Sequence, residues 1–155
     1  MLPLYENPET RRLLKPEAVW EIEGAFDTSS RDIFDAAIAR ADWFRALGKL
    51  FDTYNVLALP SAQVFPFSKE IHWPDRINDR DMDTYHRWME VVIGGSLASL
   101  PVVNVPVGFD DAGRPMGMQI LGPFGADRQV LEFAMAYEKV VPFLDQRPEL
   151  VATGD

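Results

Sequence analysis

The chain has 155 residues, 47% hydrophobic and 25% charged, which is enough for one soluble domain with a core of its own. Its net charge of -9 disfavours nucleic acid and anionic membrane surfaces, both of which are recognised through Lys and Arg. With no cysteine, disulfide frameworks, thiolate zinc sites and cysteine nucleophiles are excluded together.

In chain order, Met1 to Thr10 lacks pattern, and a single helical turn is expected at Arg11 to Lys15. Pro16 suits the first position of a helix, where its missing N–H costs nothing, and that helix carries Val19, Trp20 and Ile22 up to Gly24. Ser29 or Ser30 then caps the longest helix, Arg31 to Tyr54. Ile33, Phe34, Ala37, Ile38, Ala41, Phe44, Leu47, Leu50 and Phe51 recur at three and four residues and predict a core-facing stripe. Arg31 and Asp35 are spaced to pair.

Val56 to Leu59 reads as a buried strand. The connection from Ser61 to Arg80 is long but holds Phe65, Phe67, Ile71 and Trp73, which argues for packing rather than disorder. A helix starts at Asp81 or Asp83, with Met82, Tyr85, Met89, Val92, Ile93, Ser96 and Leu97 inward and Arg87 and Glu90 outward. Val102 to Val107 is β-branched but contains Pro106, so it is an edge strand or ends there. Asp110-Asp111-Ala112-Gly113 is turn chemistry, and Met116 to Leu121 is the return strand. Asp127 is expected to cap a last helix carrying Val130, Leu131, Ala134, Met135, Tyr137, Glu138 and Val141. The stretches 1–10 and 145–155 are expected to be flexible ends of a single domain, 1–155. No apolar run approaches about 18 residues, so no membrane span is expected. No basic segment leads into an apolar one at the N-terminus, so a cytoplasmic location is the default.

Few residues offer chemistry. Ser29-Ser30 precedes an amphipathic helix and is explained by capping. Gly94-Gly95-Ser96 lies within a helical pattern, where glycine costs about 1 kcal/mol relative to alanine and so implies close packing. His72 and His86 lack a third ligand at a fixed spacing, and the His86–Glu90 interval suits a surface pair as well as two ligands; no metal site is assigned. Lys15, Lys49, Lys69 and Lys139 have solvated contexts that do not tune a lysine for base work. Asp110-Asp111 suits a turn better than a calcium site.

Several ordered motifs resemble the C-terminal part of an amidase-signature hydrolase. They are Ala98-Ser99-Leu100-Pro101, then Val105-Pro106-Val107-Gly108-Phe109, then the hairpin Gly113-Arg114-Pro115-Met116-Gly117-Met118-Gln119, then the helix through Glu138. Asp52 to Pro60, followed by Ser61, is similar to that family's buried strand ending in Pro-Thr. The resemblance spans residues 14 to 141. It implies an α/β fold with helices packed on a partly mixed sheet of at least three strands.

It also implies the chemistry of a seryl acyl-enzyme, in which a lysine accepts the proton through a bridging serine and backbone N–H groups hold the oxyanion. The Gly/Ser-rich segment that carries those serines in the family has no counterpart in this sequence, so no catalytic residue is assigned. By position, Pro60 and Ser61 and the helix turns at Trp88, Met89 and Val92 correspond to walls of the acyl-binding cleft. The tRNA-dependent amidotransferase branch carries polar and acidic groups on this helix; Met89, Val92 and Ser96 stand here instead, where Met89 and Val92 either suit an uncharged acyl group or are plain core. The resemblance thus implies a scaffold and pocket part of a carboxamide-cleaving enzyme, inactive alone. The implied partners are a second copy or an N-terminal amidase half, with a small amide substrate in the complete enzyme and no cofactor. A non-catalytic binding or structural module of the same ancestry is the alternative, and a small enzyme using His86 and Glu90 is a third reading.

Overall fold

The structure, a computed structural model, describes residues 1–143 and Gln146; the expected fraying tail over 145–155 lies, Gln146 apart, outside the described residues. The chain divides into two compact units, Met1–Arg45 and Ala46–Asp155.

The first unit is helical. α1 (Leu2–Glu6) and α2 (Pro8–Arg11) occupy the stretch that lacks a sequence pattern, and each carries a proline in its first turn. Asn7 caps α2 by accepting the Glu9 N–H at 2.9 Å. α3 (Pro16–Phe26) starts on its proline as expected. Tyr5 knits these turns together. Its hydroxyl donates to Glu23 at 2.8 Å, its ring meets Phe26 edge-on at 5.9 Å, and the Arg11 guanidinium lies 4.0 Å over its face. α4 (Ser30–Phe51) begins in this unit and ends in the next. Ser29 caps it reciprocally: its hydroxyl accepts the Asp32 N–H, while its own N–H and O–H donate to the Asp32 carboxylate. These bonds hold the Asp32 carboxyl below the usual carboxylate range. The Arg31–Asp35 pair forms at 2.9 Å. The apolar stripe does not face a core as expected: Ile33, Phe34, Ile38 and Phe44 are exposed, and Leu47 alone on this helix is buried. Periodicity fixes which residues share a face but not what covers it.

The second unit is built on a three-stranded sheet in the order β1-β5-β4, with β1 (Leu57–Pro60), β4 (Val102–Phe109) and β5 (Pro115–Leu121). The expected class, helices on a sheet, holds, but both pairings are antiparallel rather than mixed. β1 is an edge strand whose burial alternates, not the buried strand its apolar run suggested. β4 is the other edge. It does not end at Pro106, because an edge position tolerates the missing N–H; it runs on through a register shift between Pro106 and Gly108, where Gly108 takes φ +123°. The long connection contains a hairpin that the sequence does not announce, β2 (Arg76–Ile77) with β3 (Arg80–Asp81), turning on Asn78 at φ 52°. Its two-residue strands are too short to show any periodicity.

The two sheet faces differ. On one, Val105 and Ile120 pack with Ala134 of α6 (Asp127–Glu138), flanked by Val56, Val103, Met118 and Tyr137. Ala126, not Asp127, occupies the cap of α6; Asp127 is its first residue, where a carboxylate still favours the helix dipole. Leu131 and Met135, expected inward, are exposed. On the other face, α5 (Tyr85–Leu97) lies close: a Cβ on Gly95 would sit 2.9 Å from Leu121 Cδ2 and 3.0 Å from Val102 Cγ2. This is the packing that the Gly94-Gly95 pair implied. Thr84, rather than Asp81 or Asp83, caps α5 through the Arg87 N–H at 3.2 Å, and Leu97 at the helix end is exposed.

Asp110 organises the β4–β5 turn. Its carboxylate accepts from the Ala112 and Arg114 N–H groups at 3.0 and 2.8 Å and from the Arg114 guanidinium at 2.7 Å. The Arg114 contacts, first among these bonds, hold the Asp110 carboxyl below its ordinary range. A depressed folded pKa adds stability that is present above the unfolded value of about 4 and is lost as pH falls through the folded one. Asp110→Asn is therefore expected to lower the thermal midpoint at neutral pH. Its deficit relative to the wild type should shrink as pH drops below about 4, in unfolding curves followed by circular dichroism.

Candidate functional site

The α5 face of the sheet gathers the polar groups. β5 alternates so that Gly117, Gln119 and Leu121 share this face, opposite Met116, Met118 and Ile120. Gln119 is 4% exposed, the one polar side chain in the core among the described residues. Its Nε2 donates to the Pro60 carbonyl at 2.9 Å and to the Val91 carbonyl at 2.8 Å. One amide therefore joins the central strand, the end of β1 and the middle of α5. Next to it, the Ser61 N–H donates to the Gly117 carbonyl at 2.9 Å. A side chain at 117 has no room: its Cβ would lie 2.5 Å from Ser61 Oγ and within 2.9–3.0 Å of the Asn104 amide atoms.

The long connection is tied onto α5 by a second glutamine. Gln63 Nε2 donates to the carbonyls of Arg87, at 2.8 Å, and Trp88. Farther along, Arg114 Nη1 donates to the Pro66 carbonyl at 3.1 Å, fastening the loop to the hairpin turn. Between these ties and α5 runs a chain of rings. Phe67 meets Trp88 edge-on at 5.8 Å, Trp88 meets Tyr85 at 6.2 Å, Tyr85 meets Trp73 at 5.6 Å, and Trp73 meets His72 at 5.5 Å. The first three pairs are edge-to-face, an attractive arrangement at these spacings that holds the loop on α5 despite its length, while the Trp73–His72 pair is tilted at 32°.

Of the five positions expected to wall a pocket, Pro60 and Ser61 stand at the end of β1, and Trp88, Met89 and Val92 lie half-buried on α5. Gln119 and Gln63 draw the two groups to one part of the fold. Sequence alone does not single out those two glutamines as site residues, nor Asn104, Tyr85 and Phe67; the available signal for Gln119 is its place in the Gly113–Gln119 motif.

The other candidates stay apart. His72 and His86 are exposed; His86 lies beside Tyr85 at 6.2 Å, while Glu90 is engaged by Arg80 at 2.6 Å and Arg87 at 3.5 Å. Among the described residues no group of three His, Asp or Glu side chains could hold a metal ion. Lys15, Lys49, Lys69 and Lys139 are all exposed, and Ser29 is committed to its cap. Asp110 serves its turn. Among the described residues no helix is long and apolar enough to cross a membrane.

Against known proteins, residues 2–131 match the model of the amidase family. A glutamyl-tRNA(Gln) amidotransferase subunit from Symbiobacterium thermophilum is 35% identical over 128 residues, which are 78% of this chain and 24% of that protein. Its counterpart from Protochlamydia amoebophila is 48% identical over a shorter 59 residues, 38% of this chain and 12% of that protein. Among solved structures, a bacterial aryl acylamidase of the amidase signature family superposes with a TM-score of 0.77 at 26% identity, over 88% of this chain and 28% of that one. The corresponding glutamyl-tRNA(Gln) amidotransferase subunit of Thermotoga maritima gives 0.59 at 25% identity, over 81% and 26%. The chain spans about a quarter of the length of these relatives. Its matched residues place it: the chain belongs to the amidase family.

Proposed function

We propose that this chain supplies scaffold and substrate-pocket wall to an amidase that cleaves a carboxamide bond, and that it contributes none of the catalytic groups. The observation that carries this reading is the Gln119 bridge, which fixes the end of β1 and the middle of α5 to one strand. It makes a rigid wall of Pro60, Ser61, Trp88, Met89 and Val92. Chemistry by a seryl acyl-enzyme needs a lysine and two serines in a Gly/Ser-rich segment, and that segment has to come from elsewhere. The relatives named above include both an aryl acylamidase and a glutamyl-tRNA(Gln) amidotransferase component. Met89 and Val92 favour an uncharged acyl group over an amine-bearing one, because an ammonium placed against them loses its hydration with no carboxylate to replace it.

The working partner in this reading is an N-terminal amidase half or a second copy, in the cytoplasm. Among the described residues no further strand pairs with either edge of the sheet, and Val102, Val107 and Phe109 on β4 and Leu131 and Met135 on α6 are exposed apolar groups of the kind another polypeptide covers. Size-exclusion chromatography with light scattering is expected to show a species larger than 17.5 kDa for the pure chain, or binding of such a half. A monodisperse monomer that binds neither would overturn this part.

A further inference from the structure

Trp88 carries a polar group that the fold leaves unserved. Its indole Nε1–H is shut off from solvent and has no acceptor among the described residues. Indole nitrogen can only donate, and a buried donor left unpaired is a liability that native structures rarely keep without reason. Phe67 and Tyr85 flank the indole edge-on, at interplanar angles of 81° and 74°. Phe67 is the more exposed of these two neighbours. Its own ring stays 36% exposed, and ring carbon gives the N–H no conventional acceptor. It follows directly on Pro66, whose carbonyl is held by Arg114, and the Gln63 tie holds the loop on its other side. The backbone around Phe67 is thus anchored while its side chain lies against Trp88.

We propose that Phe67 occupies, in the free chain, the seat of a ligand's aromatic ring, so that Trp88 selects an aryl carboxamide: the ligand ring takes the edge-to-face place of Phe67, and its carbonyl oxygen accepts the Trp88 indole N–H. This rests on the reading that α5 walls an amide pocket, and adds the class of acyl group. Phe67 swings out about its side-chain torsions, while Gln63 and Arg114 keep the loop in place. An aliphatic amide of similar size offers the same acceptor but loses the ring–ring contact, and an aromatic hydrocarbon offers the contact but leaves the N–H unpaired.

The test uses the four indole N–H signals of the 15N-labelled full chain, with Trp88→Phe identifying the Trp88 signal by its disappearance. Titration with benzamide is expected to move the Trp88 signal saturably while those of Trp20 and Trp43 stay still. Cyclohexanecarboxamide should bind about two- to tenfold more weakly, the range that one aromatic contact supplies. Phe67→Ala, checked for a dispersed backbone spectrum, should bind benzamide more tightly than the wild type because its seat is vacant. A Trp88 signal unmoved by benzamide, equal binding of the two amides, or weaker binding by Phe67→Ala would each overturn the proposal. None of these readouts needs turnover. A silent Trp88 signal beside an active reconstituted enzyme would sink the aryl assignment alone, whereas a responsive signal without reconstituted turnover would sink the amidase reading and leave the aryl site standing.

Discussion

Replacing Gln119 by glutamate is expected to destabilise the second unit by about 3–5 kcal/mol at neutral pH, the cost of an uncompensated buried charge. The native amide presents two N–H donors to the Pro60 and Val91 carbonyls. A carboxylate there would turn oxygen toward oxygen with almost no solvent access. Burial and the two carbonyl dipoles both push the introduced carboxyl upward. The sign follows from linkage. A folded pKa raised above the unfolded value of about 4.3 penalises folding above that value, increasingly until the folded pKa is passed, and the penalty fades below about pH 4. Gln119→Leu separates the charge from the lost hydrogen bonds. It keeps the volume, deletes the donors, and should cost about 1–3 kcal/mol with no pH dependence of its own. Urea unfolding at several pH values measures both. Equal losses for the two variants at neutral pH would show that Gln119 is not the bridge described.

Gly122→Ala is the second large effect. Gly122 is buried between β5 and α6, and its N–H donates to the Pro101 carbonyl at 3.1 Å. A Cβ there would fall 2.4 Å from Val130 Cγ2, and Val130 is itself 2% exposed. A β-branched side chain in a helix has one strongly preferred rotamer, so Val130 cannot turn away and α6 must shift instead. Overpacking of this kind costs about 1–3 kcal/mol. The double variant Gly122→Ala/Val130→Ala makes the cause testable, since removing the Val130 methyls makes room for the new one. Its loss should fall short of the sum of the two single losses by about 1 kcal/mol or more, as expected of residues in contact. Strict additivity in thermal or urea unfolding would place the strain elsewhere.

The contrast between these two positions also explains what can be read from the sequence. The β4–β5 hairpin is legible because valines, an Asp-rich turn and a methionine-rich return strand agree locally. Gly95 is legible because a glycine inside a helical pattern needs a packing reason. Gln119 is not, because its partners lie 59 and 28 residues away and nothing local distinguishes a buried glutamine from a solvated one. The α4 stripe is legible as a face and misleading as a core, since Ile33 and Phe34 are exposed in the fold. Leu131 and Met135 of α6 repeat that lesson on a shorter helix. The start of α5 slips to Thr84 because Asp81, Asp83 and Thr84 offer competing caps, and the cap of α6 falls one residue early, on Ala126, with no side-chain hydrogen bond to mark it. For the site, the aromatic loop announces that it packs on something. Its ring-by-ring path to Trp88 depends on tertiary placement and becomes visible only in the structure.

Amide turnover measured in parallel, by the pure chain and by the chain mixed with an N-terminal amidase segment bearing the lysine and the Gly/Ser-rich serines, tests the central claim most directly. No turnover above an empty-preparation control is expected from the chain alone. Turnover of uncharged carboxamides is expected from the mixture, and Met89→Asp should weaken it for those substrates while favouring amine-bearing ones. Amide cleavage by the pure chain, or an active mixture indifferent to Met89→Asp, would contradict the assignment of chemistry to the other segment and of the pocket wall to this one.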